Sequence, residues 1–186
     1  MATRKVESFD DLDFLFIGPS KTGSSWLYEA LRDHPQVSLP ASKDIYFFDR
    51  YYDRGPQWYF KQYAMCDAEN VVGEFSHDYI LADSPALERA ACDMPGGKLI
   101  CCLRNPYGRA LSGIEFLKRN GRAETSAIDT AKRHEELIKG GLYHESLSRL
   151  LRYFPREQLL ILNFDDLRND PGAFAASVYR FLGVDE

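Results

Sequence analysis

The sequence lacks any apolar run of about 18 residues, the length a membrane-spanning helix needs, so no span is expected. It also lacks the start of a signal peptide. Positive charge is not in excess: 23 Lys and Arg against 28 Asp and Glu leave a net charge of -5. A chain that grips nucleic-acid phosphates would be basic, which argues against a nucleic-acid partner. Cysteine is scarce, with only Cys66, Cys92, Cys101 and Cys102. No pair has C-x-x-C spacing, which argues against zinc and thioredoxin-type chemistry. Cys101 and Cys102 lie in the apolar run LICCL and read as buried strand residues. Free thiols suit a reducing, cytoplasmic setting. Repeats, low-complexity tracts and long linkers are also missing. What the chain does have is 45% hydrophobic residues over 186 positions, enough for one domain with a sizeable core.

Apolar runs at 14–17, 71–73, Lys98–Leu103 and Leu159–Asn163, with a weaker one at 37–39, read as strands covered on both faces. Helical patterns fall between them, at 25–33, 56–64, 85–93, 107–119, 125–139, 142–153 and Pro171–Leu182. Strands alternating with helices predict a three-layer α/β fold with a central parallel sheet of about five strands flanked by helices. Ligands bind at the C-terminal ends of such strands. Three of those ends carry polar residues: the loop from Gly18, Glu74-Phe-Ser-His77, and Arg104-Asn-Pro-Tyr.

The loop reads Gly18-Pro-Ser-Lys-Thr-Gly-Ser-Ser-Trp26. A Walker A loop reads G-x-x-x-x-G-K-[ST]. Gly18 and Gly23 keep that glycine spacing, and Ser25 stands where the Mg-binding hydroxyl would. Position 24 is Ser, however, and the loop's lysine is Lys21. Backbone N–H groups and the following helix start can wrap a phosphate. A lysine inside the loop would reach over that phosphate rather than along a triphosphate. A Walker-B-like acid occurs only late, at Asp165, so a P-loop kinase on a small molecule is the second reading.

GPSKTGSSWL resembles the 5′-phosphosulfate loop of the sulfotransferases that use 3′-phosphoadenosine 5′-phosphosulfate (PAPS). LRNPYGRALSGIEF is similar to that family's second signature. SKDIYFFDRYYDRGPQWYFKQY resembles a segment of the heparan-sulfate-type branch, and GLYHESLSRLLRYFPREQLLILNFDDLRNDPGAFAASVYRFLGV its last helix–strand–helix. The resemblance covers nearly the whole chain. It implies a P-loop NTPase-like fold and sulfonate transfer, without a metal, to a hydroxyl or amine of a sugar, phenol or lipid-linked acceptor. Lys21, Thr22, Gly23, Ser24 and Ser25 would cradle the 5′-phosphate, with Lys21 offsetting charge on the leaving group. Arg104 and Ser112 would grip the 3′-phosphate, and Tyr143 would approach the nucleotide. The base would be Asp44, where the branch has Glu, or His77, by analogy with the histidine base of cytosolic sulfotransferases. Glu74 would orient the acceptor or hold Lys21.

Arg109, Arg119 and Arg122 read as solvated charges. The aromatic residues from Tyr46 to Phe60 read mostly as core, a few of them lining an acceptor cleft. Two departures stand out. Phe75 replaces a lysine of the branch, and after FLGV the family's basic, glycine-containing clamp over the nucleotide is expected to be lacking from a single domain of 1–186. Either the chain is a piece of a longer one or the protein is short. A non-catalytic nucleotide- or glycan-binding relative is therefore a third reading.

Overall fold

Among residues 2–185, which the computed structural model describes, seven strands form. They are β1 (Thr3–Arg4), β2 (Phe14–Gly18), β3 (Val37–Ser38), β4 (Cys66–Asp67), β5 (Val71–Phe75), β6 (Lys98–Leu103) and β7 (Leu159–Asn163). Five pair in parallel in the order β3-β5-β2-β6-β7, while β1 and β4 form a separate antiparallel ribbon. Parallel neighbours need long crossovers. Helices supply them: α1 (Ser24–Arg32), α2 (Pro56–Phe60), α3 (Ser84–Asp93), α4 (Pro106–Arg119), α5 (Ala127–Arg133), α6 (Glu136–Lys139), α7 (Tyr143–Leu150), α8 (Phe164–Asn169) and α9 (Pro171–Leu182).

Alternation along the strands divides the core in two. Leu15 and Ile17 of β2 and Leu99 and Cys101 of β6 pack with Tyr59 of α2, Leu87 of α3 and Leu150 of α7. Their neighbours Phe14, Phe16, Ile100 and Cys102 face the other way, onto Leu27 of α1, Leu167 of α8 and Val178 of α9. All are buried, and each such Leu, Ile or Phe contributes roughly 1.5–3 kcal/mol. The expected three-layer sheet is thus present, with Cys101 and Cys102 in its two interiors. Burial pushes both thiols up to about 12.

A small third cluster joins Ile114 and Leu117 of α4 to Leu137 of α6. It fixes α4 above the C-terminal ends of the strands, where the site forms.

Some expected boundaries move. The strand at 71–73 runs on to Phe75, so Glu74 lies inside the sheet and Ser76-His77 forms the strand end. Phe75 stacks on Phe16 with ring centroids 4.7 Å apart, which explains an apolar residue there. The helix expected over 125–139 is broken at His134, whose backbone leaves the helical range (φ -113°, ψ 70°) and whose ring Nε2 lies 3.3 Å from the Arg122 carbonyl. The aromatic helix expected over 56–64 stops at Phe60. The Asp83 side chain caps α3 by accepting from Ala86 N–H at 2.9 Å.

Candidate active site

The phosphate-type loop connects β2 to α1. Gly18 has φ +98°, and a Cβ there would lie 1.7 Å from the carbonyl oxygen of His77. Only glycine lets these two strand ends meet. Lys21 also has a left-handed backbone, φ 68°. The Thr22 hydroxyl is wholly buried and donates to Pro19 O at 2.7 Å, so it braces the loop and leaves only the backbone to a ligand. Gly23 is the N-cap of α1, whose first residues are Ser24 and Ser25. Lys43 Nζ donates to Ser25 Oγ at 2.8 Å.

Cations converge on this loop. The Lys21 ammonium sits 4.3 Å from the centroid of the Phe116 ring. Burial, then the charges of Arg119, Lys43 and Arg104, hold its pKa below the ordinary lysine value. Arg104 Nη1 donates to Lys21 O at 3.1 Å, and its guanidinium lies 4.4 Å over Phe164. The Tyr143 hydroxyl donates to Arg104 O at 2.6 Å. It fixes the arginine's backbone, and burial raises its pKa. Ser112 is half-buried on α4, one turn before Phe116. Among the described residues, none of Lys21, Lys43, Arg104 and Arg119 is in an ion pair with a carboxylate. Like charges this close await an anion.

Arg109 corrects an expectation. It is 1% exposed rather than solvated. Its Nη2 donates to the Leu137 and Glu136 carbonyls, capping α6, and burial lowers its pKa.

Beyond the loop, the two candidate bases are one unit. His77 Nδ1 lies 2.6 Å from Asp44 Oδ1. Asp44 has φ 67°, and its N–H donates to Phe75 O at 2.5 Å. Burial would raise the Asp44 carboxyl, but the hydrogen bond and charge of His77, with Lys43, hold it below the ordinary value. The Tyr46 hydroxyl lies 3.3 and 3.2 Å from the two ring nitrogens of His77. Arg50 covers the Tyr46 ring at 3.7 Å and pairs with Asp78 at 2.6 Å.

Glu74 touches neither Lys21 nor an acceptor cleft. It is fully buried, accepting from Tyr59 at 2.5 Å, Tyr79 at 2.9 Å and Ser76. Burial pushes its carboxyl up to about 7 against these donors. Ser76 Oγ in turn accepts from Tyr46 N–H at 2.9 Å, which ties the buried acid to the segment that carries Asp44.

Phe47, Phe48, Tyr59 and Phe60 are core, while Tyr46, Tyr51 and Trp58 keep exposed area. Lys43 and Phe116 join the site without having been singled out by the sequence, and Arg119, read there as a solvated charge, adds its charge beside Lys21. The signals were there: Lys43 adjoins Asp44, and Phe116 stands four residues after Ser112, on the same helix face. Among the described residues, no group of three or more His, Cys, Asp or Glu could hold a metal ion, and no helix is long and apolar enough to cross a membrane.

Comparison with known proteins adds to this geometry. The family model described as "Sulfotransferase domain" matches residues 11–186. Human "Bifunctional heparan sulfate N-deacetylase/N-sulfotransferase 3" is 33% identical over 198 residues, covering 92% of this chain and 22% of that protein. Mouse "Heparan sulfate glucosamine 3-O-sulfotransferase 6" is 32% identical over 181 residues, covering 91% of this chain and 52% of that protein. The chain therefore spans about a fifth to a half of the length of these relatives. The crystal structure of a sulfotransferase from Alicyclobacillus acidocaldarius superposes with a TM-score of 0.85 at 27% identity, covering 94% of this chain and 81% of that one.

Proposed function

The chain belongs to the sulfotransferase domain family, and from that premise we propose that it transfers a sulfonate group from PAPS to a hydroxyl or amine of a carbohydrate or small-molecule acceptor. The observation that carries this reading is the set of Lys21, Lys43, Arg104 and Arg119 around the loop, lacking a carboxylate partner among the described residues and standing next to the Asp44–His77 pair.

Each residue then has a task. The N–H groups of the loop and the start of α1, with the Ser24 and Ser25 hydroxyls, bind the 5′-phosphate. The Arg104 fork and the Ser112 hydroxyl bind the 3′-phosphate. Lys21 offsets the negative charge that grows on the departing nucleotide. Asp44 Oδ1 fixes the His77 tautomer by accepting Nδ1–H, which leaves Nε2, beside the Tyr46 hydroxyl at 3.2 Å and Asp78 Oδ1 at 3.6 Å, as the proton acceptor. The lowered pKa of Asp44 makes it the poorer base and the better orienting group. In the balanced step, the acceptor's proton passes to His77 and a bond forms between sulfur and the acceptor atom. The bond to the nucleotide's phosphate oxygen breaks, and its electron pair leaves with 3′,5′-bisphosphoadenosine.

The acceptor follows from weaker support. The named relatives act on heparan sulfate, at nitrogen in one case and at a 3-hydroxyl in the other. Tyr46, Tyr51 and Trp58 offer aromatic faces to a sugar or phenol. Phe75 faces the core and supplies no basic contact to a polyanion. A neutral or weakly charged sugar fits best. The four free thiols favour a reducing, cytoplasmic setting. The test is transfer of radiolabelled sulfonate from PAPS to a panel of amino sugars, hydroxyl sugars and phenols. Label on an acceptor, lost in Lys21→Ala, supports the reading. No transfer by a protein that binds the bisphosphate would point instead to a binding protein.

A further inference from the structure

Phe116 is a large apolar side chain of α4 with 44% of its surface exposed. Its ring lies under the Lys21 ammonium, 4.3 Å from centroid to nitrogen. Lysine has a long stem with several free rotors, and here its neighbours repel it: Arg119, Lys43 and Arg104 all act against its charge. Among the described residues no carboxylate pairs with it. The attractive feature at its head is the negative face of the Phe116 ring.

The helix makes room for this contact. A Cβ on Gly113 would lie 3.9 Å from Lys21 Cγ, so the lysine stem runs along α4 one turn before Phe116. Ser112 stands four residues before Phe116, on the same face. One helix face thus holds the proposed 3′-phosphate hydroxyl, the bed of the lysine stem and the ring beneath its ammonium.

We infer that Phe116 is a positioning residue, whose ring holds the Lys21 ammonium beside α4 against the repulsion of three neighbouring cations, ready for the phosphosulfate. The inference rests on the sulfotransferase reading for its catalytic consequence, but the contact itself can be measured without turnover.

Reductive methylation with carbon-13 and NMR titration read the Lys21 amine in the wild type, Phe116→Leu and Phe116→Tyr, with Lys21→Arg assigning the signal. The ring's attraction favours the charged form. Its loss in Phe116→Leu is expected to lower the Lys21 midpoint by about half a pH unit, with Phe116→Tyr restoring it. An unchanged midpoint in Phe116→Leu, or an equal fall in Phe116→Tyr, would overturn the inference. Sulfonate transfer by the same variants is expected to show kcat three- to tenfold lower in Phe116→Leu, KM for PAPS nearly unchanged, and recovery in Phe116→Tyr. A shifted midpoint with an unchanged kcat would overturn the positioning role. If no acceptor turns over even in the wild type, the functional reading fails while the titration still decides the contact.

Discussion

His77 Nδ1 lies 2.6 Å from Asp44 Oδ1, although 33 positions of sequence separate the two residues. The contact exists because β3 and β5 are parallel neighbours, and because Asp44, in the segment after β3, donates its N–H to Phe75 O at the end of β5. A pair that acts as one unit gives non-additive losses. We expect His77→Ala and Asp44→Asn each to lower kcat by roughly 10²- to 10⁴-fold. The double variant should be little worse than the weaker single one. Steady-state kinetics at saturating PAPS would check this, and losses that multiply would show two independent roles.

Gly18 holds the two halves of the site in contact. Its φ of +98° and the 1.7 Å approach of His77 O leave no room for a methyl group. Gly18→Ala is expected to cost on the order of 3 kcal/mol or more, read as a fall in the denaturant midpoint. A stability within about 0.5 kcal/mol of the wild type, the range of an ordinary surface change, would contradict the close approach.

Glu74 predicts a pH signature. Its carboxyl titrates at about 7 in the fold against an ordinary value of 4.5. Between those values the folded chain binds more protons than the unfolded one, so this residue's contribution to stability falls as pH rises through the window. The fall amounts to roughly 3 kcal/mol. Above about 7 it flattens. Glu74→Gln removes this titration, so the difference in unfolding free energy between wild type and variant should change across pH 4.5 to 7 and stay constant above. A difference independent of pH throughout would contradict the proposed titration.

The strands were legible because parallel strands buried on both faces are written as unbroken apolar runs, as in Lys98–Leu103. The loop was legible because its glycine spacing is local, and Arg104 because it follows a strand directly. The Asp44–His77 contact was not, since it depends on which strands become neighbours. Arg109 was read as solvated from its charge alone, whereas the α6 carbonyls it caps are brought to it by tertiary packing. Glu74 was placed at a strand end because its charge seemed to close an apolar run. Three hydroxyl donors, Ser76 and Tyr79 just downstream and Tyr59 from α2, let the strand continue through it. The lysine's place inside the loop, the first irregularity in the sequence, becomes intelligible once Phe116 is seen beneath it.

The most direct test of the account is calorimetric titration with adenosine 3′,5′-bisphosphate and, separately, ATP with Mg, on the wild type and Arg104→Ala. The account predicts bisphosphate binding without added metal, weakened at least tenfold by Arg104→Ala through loss of a charge-assisted contact to phosphate. A wild type that prefers ATP with Mg, and is indifferent to Arg104→Ala, would contradict it.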